Sequence, residues 1–157
     1  PELVERLLPR YLQRYAQRLS KLSRPYAGVL EMLDELDARG LQYAIVSNKP
    51  EKLARQLLIE LGWSERFVVL VGGDTLSVRK PAAEPVLHAC AALGVMPNDA
   101  VMVGDDERDV LAGRAAGCHF TIAAAYGYLE EPQQVTHWGA DRIVNSAPEL
   151  AAVLAGW

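Results

Sequence analysis

Four acidic side chains crowd into the stretch VMVGDDERDVLAG, residues 101–113. Asp105, Asp106, Glu107 and Asp109 directly follow an apolar run. One or two carboxylates here have a simple structural role, because acidic residues at a helix N-terminus cap free amides and complement the helix dipole. Four exceed that need, and a divalent cation would neutralise the excess. Carboxylate oxygens favour Mg²⁺, which takes one or two of them together with waters and a substrate phosphate. Both capping and metal binding stay open for this segment.

Two other polar segments follow apolar runs. Ser47 and Asn48 follow the run YAIV and precede a predicted helix. Such a pair is a common helix N-cap, but hydroxyl, amide and free helix N–H groups also bind phosphate. Lys80 lies between Arg79 and Pro81 on a loop. It is either a solvated surface charge or a fixed cation that neutralises a phosphate or a carboxylate nucleophile.

The elements that hold these side chains alternate between strand and helix. Short apolar runs predict strands at 43–47, 67–73, 100–105, 120–125 and 142–144. Helical spacing of apolar residues predicts helices at 2–22, 27–39, 51–61, 84–94, 107–117 and 147–155. This order is typical of an α/β fold, a Rossmann-like parallel sheet with helices on both faces. Ligands bind at the carboxyl ends of such strands, so the three polar segments should converge on one crevice suited to a phosphate bound to Mg²⁺.

Length, composition and charge set the broad class. The 157 residues match one ordinary domain, and 50% hydrophobic with 23% charged residues is a globular composition. The net charge of −4 argues against a nucleic-acid or anionic-membrane partner. We find no signal peptide, no apolar run long enough to cross a bilayer, and no phosphate loop of the nucleotide triphosphatase type, so a cytoplasmic protein is expected. Cys90 and Cys118 are expected to be thiols rather than a disulfide. The oligomeric state stays open.

Together the three polar segments resemble the motifs of the haloacid dehalogenase-like hydrolases, in particular their phosphoglycolate phosphatase-like members. IVSNKP resembles the second motif, GGDTLSVRKPAAEP the third and VGDDERD the fourth. The resemblance implies a Mg²⁺-dependent phosphatase acting on a small phosphorylated metabolite. It assigns phosphoryl binding to Ser47 with Asn48 beside it, and charge neutralisation to Lys80. It assigns direct Mg²⁺ binding to Asp105 and support of the metal to Asp109.

Two segments near the C-terminus extend the resemblance. The Tyr-Gly-Tyr of AAAYGYLEEP resembles phosphoglycolate phosphatases, whereas HWGAD resembles the related N-acetylmuramic acid 6-phosphate phosphatases. Both segments also have structural interpretations, in which Tyr126 and Tyr128 shape a loop and Trp138 packs. Phosphoglycolate is therefore the first expected substrate and N-acetylmuramic acid 6-phosphate the second.

The sequence departs from the family pattern in three places. Ala82 and Ala83 follow Lys80-Pro81 where members read Lys-Pro-Asp-Pro, and Asp106 replaces the usual serine, with its role left open. The first motif, Asp-x-Asp, does not occur. In the family its first Asp attacks phosphorus to form an aspartyl-phosphate that water hydrolyses, and its second is the general acid/base. The 157-residue chain alone is therefore expected not to turn over substrate.

The resemblance also predicts the domain organisation. Residues 1–22 correspond to the end of the family's helical cap and 23–157 to the hydrolase core. In the family the strand that carries the first motif lies between the strands ending near Ser47 and near Asp105. We therefore expect the sheet to be interrupted there, and residues upstream of Pro1, or another segment or chain, to fill the gap.

Other functions stay open on the sequence. A haloacid dehalogenase shares the fold and the Asp nucleophile but works without a metal. A non-catalytic module would keep the Mg²⁺ and phosphate sites without turnover. A phosphoacceptor signalling domain also combines acids, Ser/Thr and Lys on a parallel sheet, but the order of the motifs fits a hydrolase better.

Overall fold

A computed structural model describes residues 23–129 and 132–156. The helix predicted over 2–22, and the assignment of 1–22 to a cap, lie outside the described residues. The described helices are α1 (Val29–Ala38), α2 (Glu51–Glu60), α3 (Glu84–Leu93), α4 (Glu107–Ala116) and α5 (Ala147–Ala155). The described strands are β1 (Ile45–Val46), β2 (Leu70–Val71), β3 (Val101–Gly104), β4 (Phe120–Ala124) and β5 (Arg142–Val144). Short 3₁₀ helices occupy Pro97–Asp99 and Pro132–His137. The predicted alternation of strand and helix is confirmed.

The described strands form two parallel sheets rather than one. In the first, β1 pairs with β2, and in the second the order is β3-β4-β5. No ladder of hydrogen bonds joins β1 to β3 in this part of the chain, so the predicted interruption of the sheet is present. The strands predicted at 43–47 and 67–73 are shorter than expected, with two residues each. Within the described ranges, each of these two strands has one strand neighbour to order its backbone.

Helices on both faces hold the two sheets in one layer. On one face, Val86 of α3 and Ala112 of α4 pack in a shared core with Val46 of β1 and Met102 of β3. On the other face, α1 and α5 cover the strands through a core that includes Met32, Leu33, Ile122, Val144 and Leu150. Lys80 spans the two sheets, since its Nζ reaches the Val46 carbonyl in β1 and Asp109 in the first turn of the helix after β3, so the carboxyl ends of the two sheets lie on the same side of the molecule.

Both cysteines are free thiols, as predicted. Cys90 is buried in the core of α3 and α4, and Cys118 packs against the same core. Burial raises the pKa of the Cys118 thiol to about 11. The thiols therefore act as small apolar packing groups. Within the described ranges, no helix combines the length and apolarity needed to span a bilayer.

Asp141 joins the start of β4 to the segment that enters β5. Its Oδ2 accepts hydrogen bonds from the Thr121 backbone N–H at 2.8 Å and from the Thr121 hydroxyl at 2.7 Å. The hydrogen bonds from Thr121 lower the pKa of the Asp141 carboxyl. A lowered folded-state pKa stabilises the fold at pH values above the unfolded pKa of about 3.9, and this stabilisation is lost as the pH falls through the folded pKa.

We therefore expect Asp141→Asn to lower the free energy of unfolding by about 1 kcal/mol at pH 7, since the Asp141 side chain is 34% exposed and partly screened. The loss should begin to shrink below about pH 4, where the unfolded carboxyl protonates, and should disappear once the pH falls below the lowered pKa of the native carboxyl. Urea unfolding of the wild type and the variant at pH 7 and pH 3 measures the loss of unfolding free energy and its dependence on pH. Asp99→Asn, at an exposed position before β3, is the matched control. An equal loss at both pH values would contradict the expectation.

Candidate active site

Lys80 lies between the ends of the two sheets. Its Nζ donates to the carbonyl oxygen of Val46 in β1 and to Oδ1 of Asp109 in α4, both at 2.5 Å. The two charged residues are buried, with 8% of Lys80 and 6% of Asp109 exposed. The interpretation of Lys80 as a solvated surface charge is therefore wrong. Lys80 is a fixed cation at the carboxyl ends of the strands.

Capping explains part of the acidic cluster. Asp106 is the N-cap of α4 and forms a capping box with Asp109. The Asp106 carboxylate accepts from the Arg108 backbone N–H at 2.9 Å and from the Arg108 guanidinium, which lowers the pKa of Asp106. Oδ2 of Asp109 accepts from the Asp106 backbone N–H at 3.2 Å. Burial raises the pKa of Asp109, and the positive charge of Lys80 opposes that shift.

Asp105 lies outside the cap and is the acid best placed for a metal. It follows β3 directly, and its Oδ2 accepts from the Tyr128 backbone N–H at 3.0 Å. No group of three or more His, Cys, Asp or Glu in the described ranges could hold a metal. A single carboxylate is nevertheless within the usual donor set of Mg²⁺, which takes its other ligands from waters and substrate phosphate. Asp105 therefore fits Mg²⁺ as part of a site.

The roles of Asp105 and Asp109 toward the metal stay predictions. Both oxygens of Asp109 are engaged, one by Lys80 and one by the amide of Asp106. In this arrangement Asp109 holds the lysine. Asp105, which follows β3 directly and lies outside both the ion pair and the cap, is the carboxylate predicted to hold a cation.

Ser47 and Asn48 occupy a turn after β1 rather than a helix cap. The N-cap of α2 is Pro50, without a side-chain hydrogen bond. The Ser47 hydroxyl accepts from the Lys49 backbone N–H at 3.1 Å, and Asn48 Nδ2 donates to the carbonyl of Lys80 at 2.9 Å. The capping interpretation of this pair is therefore wrong. The structure places Asn48 against the loop that carries Lys80.

Two residues that the sequence analysis did not single out also contribute to the carboxyl edge of the first sheet. Asp74 accepts from the Glu51 backbone N–H at 2.7 Å and so satisfies the first turn of α2. A Cβ added at Gly73 would overlap the carbonyl of Asn48, so only glycine permits the close approach of the two loops. The signal in the sequence is the Gly-Gly-Asp that ends the second apolar run.

Of the two C-terminal segments, the Tyr-Gly-Tyr segment reaches the site and the Trp138 segment packs in a core. Gly127 contacts Asp105 so closely that an added Cβ would overlap that side chain. Trp138 packs against the core that contains Val110 and Val135, so its packing interpretation is confirmed.

A parallel α/β layer with a buried lysine–aspartate pair at its carboxyl edge is the arrangement of a hydrolase of the haloacid dehalogenase class. The comparison with protein families agrees: the haloacid dehalogenase-like hydrolase family matches residues 1–123. The chain belongs to this family, as its motifs predicted.

Two groups of curated relatives are similar to the chain. It is 46% identical to a phosphoglycolate phosphatase of Xylella fastidiosa (strain 9a5c), over 92% of this chain and 65% of that protein. It is 42% identical to an N-acetylmuramic acid 6-phosphate phosphatase of Pseudomonas aeruginosa, over 96% of this chain and 66% of that protein. The chain therefore spans slightly less than two thirds of the length of these relatives.

A solved structure shows the same architecture. The crystal structure of a predicted phosphoglycolate phosphatase from Haemophilus somnus superposes with a TM-score of 0.81 at 30% identity. The match covers 89% of this chain and 61% of that one. The Rossmann-like hydrolase fold predicted from the sequence is confirmed.

Proposed function

We propose that the complete gene product is a Mg²⁺-dependent phosphatase of a small phosphorylated metabolite, acting in the cytoplasm. Phosphoglycolate is the first candidate substrate and N-acetylmuramic acid 6-phosphate the second, which the names of the relatives support. The observation that carries the proposal is the buried Lys80–Asp109 pair. It places a fixed cation at the carboxyl ends of parallel strands, where ligands bind in such folds.

Lys80 is suited to neutralise a phosphoryl group. An ammonium has three N–H donors, and two of them reach Val46 and Asp109. The third donor and the positive charge are available to a phosphate at the strand ends. A buried and already oriented cation stabilises transition-state charge better than an exposed lysine, because little reorganisation is needed during the reaction.

Ser47 and Asn48 contribute in different ways. The oxygen of the Ser47 hydroxyl accepts from a backbone amide of its own turn, so its hydrogen can donate to a phosphoryl oxygen. Asn48 has a positioning role. Its side-chain amide donates to the backbone carbonyl of Lys80 and so holds the Lys80 loop in place. Asp105 would hold Mg²⁺, which supplies further positive charge to the phosphate. The attacking carboxylate belongs to the Asp-x-Asp motif, which does not occur in these 157 residues.

The test is an assay of inorganic phosphate released from phosphoglycolate and from N-acetylmuramic acid 6-phosphate. The complete gene product is compared with the 157-residue chain, and each is assayed with EDTA and again after Mg²⁺ is restored. We expect phosphate release only from the complete product, and only with Mg²⁺. Halide release from a short haloacid without phosphatase activity would establish a dehalogenase instead. Binding of Mg²⁺ and phosphate without turnover by the complete product would establish a non-catalytic module.

A further inference from the structure

Three tyrosines surround Asp105. Tyr126 and Tyr128 flank Gly127 in the loop after β4, and Tyr26 lies in the segment before α1. The Tyr26 ring makes edge-to-face contacts with the rings of Tyr126 and Tyr128, at centroid distances of 5.4 and 6.1 Å. These contacts tie the segment before α1 to the loop after β4.

That loop holds the Asp105 carboxylate from two sides. The Tyr128 backbone N–H donates to Oδ2 of Asp105 at 3.0 Å. A Cβ added at Gly127 would lie 2.7 Å from Cγ of Asp105 and closer still to its Cβ, so the loop leaves no room for a side chain.

The loop is in turn anchored from both of its tyrosines. Tyr126 packs against the core that contains Met32 and Leu33. Tyr128 is 88% exposed, so the core does not hold it. Its ring contact is with Tyr26, which is itself 40% exposed. Backbone hydrogen bonds from Gly127 to Ala124 and from Leu129 to Gly127 close the turn, and the Tyr26 ring is the side-chain contact that holds its exposed half, whose amide binds Asp105.

We propose that Tyr26 is a positioning residue: it fixes the 126–128 loop, and the loop fixes the Asp105 carboxylate in one orientation before Mg²⁺ binds. The inference rests on the proposed function, in which Asp105 is the direct metal ligand. A free carboxylate loses rotamer freedom when it coordinates an ion, whereas one already held by a backbone amide has lost it in advance. Partners that orient a ligand in this way affect metal affinity strongly, although they do not touch the metal.

The test is calorimetric titration of Mg²⁺ into the complete gene product and its variants. We expect Gly127→Ala to weaken Mg²⁺ binding by about 10- to 100-fold, the range for loss of an orienting partner. Tyr26→Leu should weaken it by roughly 5-fold, the scale of one aromatic contact. Tyr26→Phe keeps the ring but loses the hydroxyl's hydrogen bond with Tyr128, so it should weaken Mg²⁺ binding less than Tyr26→Leu does. The melting temperature of each variant is also measured, by thermal unfolding.

Two controls separate positioning from general destabilisation. Gly156→Ala adds a Cβ in ordinary contact, 3.8 Å from the Val153 carbonyl. Tyr43→Leu removes an edge-to-face contact with Phe67, at 5.1 Å, and the hydroxyl's hydrogen bond to Asp37, neither of which involves Asp105 or the 126–128 loop. Both controls should leave Mg²⁺ affinity unchanged even where the melting temperature falls.

Each outcome bears on one hypothesis. Equal Mg²⁺ affinities for Tyr26→Leu and Tyr43→Leu would overturn the inference. So would a rise in KM for the phosphate ester without a change in Mg²⁺ affinity, because Tyr26 would then contact substrate. Asp105→Asn separates the two proposals. If Asp105→Asn leaves Mg²⁺ binding intact, the metal assignment itself fails, whatever the tyrosine variants do.

Discussion

Lys80→Met is expected both to lower phosphate release by about 100- to 1,000-fold and to destabilise the fold. The substitution keeps the apolar stem but removes the ammonium, so the buried Asp109 carboxylate loses its partner. Leaving one member of a buried ion pair alone costs about 3–5 kcal/mol. Removing a donor that stabilises transition-state charge typically lowers kcat by about 100- to 1,000-fold. Urea unfolding measures the first effect, and kcat of the complete gene product measures the second.

A double variant separates the two effects. Lys80→Met with Asp109→Asn removes the unpaired charge but keeps an oxygen that accepts from the amide of Asp106. We expect it to recover much of the lost stability and none of the activity. Arg79→Met removes the neighbouring exposed cation and should change neither. If the double variant regains activity along with stability, Lys80 is a structural residue only.

The order of elements was predictable because each strand and helix carries its own local pattern. Apolar runs located all five strands, and the glycine at 94 ends α3 as predicted, with a φ of +72° that favours glycine. The lengths of β1 and β2 were not predictable from these runs. They depend on how many strand neighbours order the backbone, which is a property of the whole sheet.

The site was only partly predictable. The types and order of the residues indicated Lys80 and the acids, but not that Lys80 is buried. Its partners, Val46 and Asp109, lie 34 and 29 positions away in the chain. The capping interpretation of Ser47 and Asn48 was wrong for the same reason. Asp74, which satisfies the first turn of α2, lies 23 positions from Glu51, and no local pattern reveals such a contact.

Asp105→Asn is expected to reduce Mg²⁺ affinity by at least about 100-fold and to abolish Mg²⁺-dependent phosphate release. Loss of an outer partner of a metal ligand already costs about 10- to 100-fold, and loss of the ligand itself should cost more. Asn is nearly isosteric and its Oδ1 can still accept from the Tyr128 amide, so the fold should be retained. Calorimetry measures the affinity, and the phosphate assay measures turnover.

Substitutions of neighbouring acids test whether Asp105 binds the metal specifically or whether the metal responds to the total negative charge of the cluster. Asp106→Asn also removes one charge, but its carboxylate is engaged by Arg108 and caps α4. Because Asn caps a helix about as well as Asp and the Arg108–Asp106 pair is exposed, we expect it to lower stability by no more than about 0.5 kcal/mol and to change Mg²⁺ affinity only a few-fold. Asp99→Asn, exposed at the opposite end of β3, should change neither. If Asp105→Asn and Asp106→Asn weaken Mg²⁺ equally, the ion responds to the summed charge of the cluster, and Asp105 is not its specific ligand.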